Sequence, residues 1–254
     1  MARLRYPTGV RPLLIEETAR RRRVESRIVS TLESAGYAEV VLPIIDYADP
    51  YDTDPAQSYR FVDRDGELVA IRSDFTPMVA RALAPSISPG QLPLRVFYRG
   101  DVIRYEPSRL GANRELFQIG AEIVGDDSAA SDAEVLTLVA GMLRQFEIQP
   151  LIVYTHVGIP ERPRFSPTAL EDIGGEAGAR LEAIRAAVPS ECVLHLDDVD
   201  PVRGYYTGLR FRAYDSRTRA VIAQGGRYDS LYGRFGTAAA AIGFTITIDD
   251  LDKS

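Results

Sequence analysis

From Leu14 to Ala35 apolar residues recur at helical spacing, with Val24, Ile28 and Leu32 on one stripe, and Gly36 follows where a left-handed turn would end the helix. The first element is therefore an amphipathic helix. Residues 39–45 form a short apolar run broken by Pro43, which has no N–H to give a ladder and so suits an edge or dimer-facing strand. Between Arg60 and Ile71 two short apolar runs flank Asp65-Gly66, a pair that accepts positive φ, and this predicts a hairpin. Thr76-Pro77 then opens a helix, with Thr76 as N-cap and Pro77 in the first turn.

Residues 94–106 and 114–124 read as long paired strands joined by the loop 107–113, and 132–146 as a helix carrying Val135, Leu138, Val139, Met142 and Phe146. Residues 150–200 offer a strand, a Pro- and Gly-rich stretch, a helix near 176–187 and a short strand at 193–196, which reads as a small insertion. Strands return at 209–214, 220–224 and 242–248, the last two separated by Gly225-Gly226. This order predicts an α+β fold with antiparallel strands.

With 254 residues and 45% hydrophobic side chains, the chain can bury one full core, so residues 1–254 are expected to form a single domain. Thirty basic against thirty-six acidic residues give a net charge of -6, which disfavours a bulk grip on nucleic acid. A lone Cys192 excludes an internal disulfide, and His156 and His195 are too sparse for a zinc cluster, so no metal or cofactor is expected. No leader and no apolar run approaching a membrane span can be read, which predicts a cytoplasmic protein with no membrane partner. Arg20 to Arg23 point around the first helix among glutamates and read as a solvated face.

Candidate chemistry concentrates at 117–123. Period-2 alternation puts Phe117, Ile119, Ala121 and Ile123 on one face and Gln118, Gly120 and Glu122 on the other. The polar face is either solvated or a binding site; Gly120, a poor strand former, would leave room for a ligand to approach the sheet. Arg72-Ser73-Asp74-Phe75-Thr76 precedes a helix N-terminus, where ordinary capping and anion binding look alike. Gly204-Tyr205-Tyr206-Thr207-Gly208 and Gly225-Gly226-Arg227-Tyr228-Asp229 set glycines beside tyrosines, as in close turns around a flat ligand, though turn chemistry alone would explain both.

Gly36-Tyr37 to Pro43, Ile103-Arg104-Tyr105-Glu106, Arg114 to Glu122, Tyr205 to Gly208 and Gly225 to Asp229, in that order, resemble the catalytic core of histidyl-tRNA synthetases. The resemblance spans nearly the whole chain and includes the step of fourteen residues from Arg104 to Gln118 and four more to Glu122. It implies a class II aminoacyl-tRNA synthetase-like antiparallel sheet of six or seven strands flanked by helices, with Pro43 near a two-fold interface. By the same resemblance Glu122 would recognise the imidazole of L-histidine and Tyr206, with Tyr205 beside it, would partner the ring. Gln118 and Asp74 would surround the α-ammonium, Asp74 being one methylene shorter than the family's glutamate. Thr76 would set a hydroxyl beside the amino group, and Arg104 would hold the carboxylate.

The departures from the synthetase pattern point away from catalysis. The last motif of the family ends in an arginine that clamps ATP, and the matching run from Gly243 ends at Asp250, where a carboxylate would repel polyphosphate. Ala112 stands where a second phosphate-contacting arginine is found, and Arg203-Gly204-Tyr205-Tyr206 is two residues shorter than the family's sequence. With the last residue at Ser254, no anticodon-binding domain and no tRNA partner are expected. A synthetase-like chain that keeps the histidine contacts and loses the ATP contacts resembles the regulatory subunits that pair with short-form ATP phosphoribosyltransferase. That family implies a non-catalytic role, a homodimer within a hetero-oligomer, and histidine feedback on the catalytic subunit. A synthetase fragment forming histidyl-adenylate and a stand-alone histidine-sensing module are the alternatives.

Overall fold

The computed structural model describes residues 6–48, 58–105, 113–146, 148–159, 173–196 and 205–251. Helix α1 (Ile15–Ser34) buries Val24, Ile28 and Leu32 and ends at Gly36, whose φ of 83° is the left-handed turn expected there. Strand β1 (Ala38–Glu39) follows, then β2 (Ile45–Tyr47), β3 (Arg60–Val62) and β4 (Leu68–Ile71). The stretch expected as one strand is thus divided: β1 joins the edge of the main sheet, β2 enters a separate three-stranded sheet, and Pro43 lies between them. Asp65-Gly66 turns the β3–β4 hairpin, with Gly66 at φ 90°.

Helix α2 (Thr76–Leu83) begins one residue earlier than expected. Thr76 is its first residue rather than its N-cap, and Asp74 Oδ1 accepts the Thr76 N–H at 3.2 Å. The carboxylate is the stronger acceptor, and the threonine hydroxyl is engaged elsewhere. Strands β5 (Leu94–Ile103) and β6 (Glu115–Val124) pair along their full length, followed by helix α3 (Ala129–Arg144), capped by Ser128. Then come β7 (Pro150–His156), α4 (Gly175–Ala187), β8 (Cys192–Leu194), β9 (Leu209–Asp215), β10 (Val221–Arg227) and β11 (Ala241–Thr247).

Among the described residues the main sheet has eight strands in the order β1-β5-β6-β11-β10-β9-β7-β8. This exceeds the six or seven expected, and both outer pairs, β1–β5 and β7–β8, are parallel while the centre is antiparallel. The β7–β8 pair is parallel because α4 carries the chain back between them, the crossover that a parallel pair requires. Strands β7 and β8 therefore continue the sheet beyond β9, and α4 packs on α3. The fold is α+β.

The two sheet faces differ in cover. One carries the main core, where Phe97, Ile119, Ala121, Phe211 and Phe244 meet α1, α3 and α4. Each fully buried Ile or Phe there contributes roughly 1.5–3 kcal/mol. The other face receives α2 and the short helical turn Tyr232–Arg234, through Phe75, Val79, Tyr98, Tyr205, Tyr228 and Tyr232. Candidate site residues lie on this second face.

Candidate functional site

Strand β6 forms the floor as its alternation predicts. Phe117, Ile119, Ala121 and Ile123 enter the core, and Gln118, Gly120 and Glu122 lie on the opposite face, where Glu122 meets α2 through Thr76. Glu122 is 1% exposed, at the centre of a row running Val96–Glu122–Gly243–Gly226 across β5, β6, β11 and β10. Its Oε1 accepts from Thr76 Oγ1 at 3.4 Å and Tyr98 OH at 3.3 Å, and its Oε2 has no hydrogen-bond partner. Burial pushes its pKa well above the usual carboxylate range, Asp74 adds to the rise, and the hydroxyls of Tyr98 and Thr76 oppose it.

The glycines serve neighbouring side chains. Gly120 lies under the Tyr98 hydroxyl, so the space expected for a ligand is taken by a residue of this chain. Gly243 leaves the place that Glu122's carboxyl occupies, and Gly226 leaves the place of the Tyr206 ring. Gly225 and Gly226 lie inside β10 rather than in a turn around a ligand, because the large rings of Phe211 and Tyr206 cross the strand there.

One wall comes from the start of α2. Asp74 accepts from Tyr205 OH at 3.5 Å, and Tyr205 packs against Tyr206 at 5.0 Å and edge-on to Tyr228 at 5.9 Å between ring centroids. Asp74, Thr76, Glu122, Tyr205 and Tyr206 thus form one contiguous group. Gln118 is 5% exposed and shares Glu122's face four residues away, about 13 Å by strand rise. Arg104 follows β5 with its N–H on Arg114 C=O at 2.9 Å, eight residues beyond the position opposite Glu122, roughly 26 Å at most. The structure brings together five of the seven expected residues and sets Gln118 and Arg104 progressively further along the sheet. Arg203, Gly204 and Ala112 lie outside the described residues.

The Arg72 side chain is buried. It donates to the carbonyls of Asp101, Leu42 and Pro43 at 2.9, 3.0 and 3.2 Å and covers Phe75, fastening the Pro43 segment to β5. The arginine run on α1 divides as well: Arg20, Arg22 and Arg23 are exposed, whereas Arg21 turns inward to Asp249 at 2.6 Å. A cavity of about 420 Å³ opens beside that pair, with Arg11, Arg22, Asp101 and Glu115 in its wall. Its charges have mixed signs, and Arg21–Asp249 and Arg11–Glu17 are already paired, so it presents no single chemistry. Sequence reasoning missed Tyr98, Thr245 and Gly243; only the register that sets Tyr98 opposite Gly120 and Gly243 opposite Glu122 reveals them.

Known proteins share this fold and much of this sequence. The profile of the histidyl-tRNA synthetase family matches residues 9–162 and 168–251. The ATP phosphoribosyltransferase regulatory subunit of Symbiobacterium thermophilum is 30% identical, over 99% of this chain and 80% of that protein. A Bacillus halodurans structure, described as an ATP phosphoribosyltransferase regulatory subunit/histidyl-tRNA synthetase, superposes with a TM-score of 0.86 at 23% identity, covering 98% of this chain and 83% of that one. Apo histidyl-tRNA synthetase of Staphylococcus aureus shares the fold with a TM-score of 0.75 at 23% identity, covering 98% and 69%. The class II core and this level of identity over nearly the whole chain make it a member of the histidyl-tRNA synthetase-like family of ATP phosphoribosyltransferase regulatory subunits.

Proposed function

We propose that this chain binds free L-histidine at Glu122 and acts as the regulatory subunit of a short-form ATP phosphoribosyltransferase, without a reaction of its own. The observation that carries the histidine reading is the unpartnered Oε2 of a carboxyl that is 1% exposed. An imidazole N–H would satisfy that oxygen, whereas an apolar side chain of the same size would leave it unpaired. In this reading Tyr206 flanks the ring, and Asp74, Thr76 and Gln118 surround the ammonium group. Arg104, which follows β5, is the residue the resemblance assigns to the ligand carboxylate.

The name borne by the relatives supports the partner, a catalytic ATP phosphoribosyltransferase subunit. Asp250, where the synthetases carry an ATP-clamping arginine, supports a non-catalytic chain. Val41 at 89% exposure, with Ile44, Ile45 and Tyr47 on the Pro43 segment, supports a homodimer closed over that apolar surface. No described helix is long and apolar enough to cross a membrane.

The test is a thermal and calorimetric titration. L-histidine is expected to raise the melting temperature, and histamine or other amino acids to do so far less. Glu122→Gln is expected to weaken histidine by roughly 1.5–3 kcal/mol. Wild-type affinity in that variant would remove Glu122 from the site. Mixed with a short-form catalytic subunit from the same cell, the chain is expected to co-elute and raise its turnover, with histidine lowering it again. Failure to associate at micromolar concentration would leave histidine binding alone, and histidine-dependent ATP–pyrophosphate exchange would restore the synthetase reading.

A further inference from the structure

We propose that Tyr98 is a positioning residue that sets what Glu122 accepts: the row Thr76–Glu122–Tyr98–Thr245 fixes one carboxyl oxygen and presents the other as an obligatory acceptor for a ring N–H. The proposal rests on the histidine reading for its ligand, and on geometry for its mechanism. Tyr98 is 1% exposed and stacked on Phe75 at 4.4 Å between centroids, so its phenol has no freedom to swing away. Its hydroxyl stands 3.3 Å from Glu122 Oε1 and 3.1 Å from Thr245 Oγ1. Gly120 is required beneath it, since a Cβ there would collide with the phenol.

Tyr98 has one proton to place between two acceptors. When Glu122 is ionised it can only accept, so Tyr98 donates to Oε1 and Thr245 donates to Tyr98. When Glu122 is protonated on Oε1, the row reverses: Glu122 donates to Tyr98, and Tyr98 donates to Thr245. A hydrogen on Oε2 would be a buried donor with no acceptor, whereas on Oε1 it has the Tyr98 oxygen, so the row favours the arrangement in which Oε2 remains an acceptor. A ring with N–H is then admitted, and a ring carrying only a lone pair meets a repelling oxygen. Without the Tyr98 hydroxyl the proton can sit on Oε2, which becomes a donor, and the preference collapses.

The groups facing Glu122 are Asp74 and Thr76 at the start of α2, Tyr98 on β5 and Tyr232 in the short helical turn, with Tyr37 acting at longer range. None is a cation. The Tyr98 hydroxyl is first among the groups that pull Glu122's pKa down against its burial.

Tyr98→Phe keeps the ring stack and removes only the hydroxyl; Thr245→Val breaks the far end of the row. Calorimetry would compare L-histidine with thiazolylalanine, whose ring lacks N–H, and carbon-13 NMR would follow the Glu122 carboxyl in ligand-free protein. In Tyr98→Phe, histidine affinity is expected to fall about tenfold and its advantage over thiazolylalanine to shrink by at least as much. The Glu122 titration is expected to move to higher pH, and Thr245→Val to shift both readouts in the same direction by less. A folded Tyr98→Phe protein with the wild-type preference, or with an unmoved titration, overturns the proposal. Should the wild type bind neither amino acid, the histidine reading fails, and the titration alone then decides whether the row orients Glu122.

Discussion

Two charged clusters are buried on opposite faces of the same sheet, and they are built in opposite ways. On the core face, Arg227 is 2% exposed and spreads its donors over Asp132, Asp126 C=O, Asp229, Ser128 C=O and Ser131, at 2.7 to 3.4 Å. Arg180 pairs with the other oxygen of Asp132, so β10, α3 and α4 are tied together through one carboxylate. On the site face, Glu122 is as deeply buried but has two hydroxyls on one oxygen, nothing on the other, and no paired cation among the described residues. A charge that holds a fold is saturated by its neighbours. One left incomplete has an oxygen open to a further donor, and the fold tolerates the cost at that place.

The largest expected effect is on the saturated cluster. Asp132→Ala removes the carboxylate that Arg180 and Arg227 share and leaves Arg227 with Asp229 as its remaining carboxylate, and denaturant unfolding is expected to show a loss of about 3–5 kcal/mol. A loss below 1 kcal/mol would mean that water replaces the carboxylate and that the two clusters are less different than they look.

The incomplete cluster should respond with the opposite sign. Burial raises the folded pKa of Glu122 above that of the unfolded chain, so the stability tied to its protonated form is full below the unfolded carboxyl pKa and is lost as pH rises through the folded value. Glu122→Gln stays neutral. Ligand-free, this variant is expected to be more stable than wild type by roughly 1–3 kcal/mol at the alkaline end of that window and equal to it at the acid end, as melting curves across pH would report. A destabilised variant at every pH would show that Oε2 is satisfied in solution.

The smallest effect sharpens the contrast at the surface. Arg23→Ala on the exposed side of α1 is expected to change stability by no more than about 0.5 kcal/mol in chemical denaturation. Arg21→Ala, two residues before it, breaks the half-buried pair with Asp249 and is expected to cost more, about 1 kcal/mol. Equal effects would mean that the inward turn of Arg21 carries no energy.

The helices α1, α3 and α4, the β3–β4 hairpin and the β5–β6 pair follow from hydrophobic period and turn chemistry, because each is decided by residues within about thirty of one another. Alternation likewise decides which face of β6 carries Glu122. Edges were less legible: the split at Pro43, the parallel β7–β8 pair and the extension of β10 through Gly225 and Gly226 depend on partners far along the chain. Local propensity has no access to them. The contact of Asp74 with Tyr205, separated by 131 residues, is of the same kind.

The sequence by itself determined the residue types at the candidate site, the alternation that turns Glu122 away from the core, and the presence of Ala112 and Asp250 where the resemblance implies arginines. Tertiary structure decided which glycine serves which neighbour and which carboxyl oxygen is left open. Strand register is a long-range quantity: a slip of one residue between β5 and β6 would move Tyr98 off Gly120, and the same slip between β6 and β11 would set a side chain against Glu122 in place of Gly243.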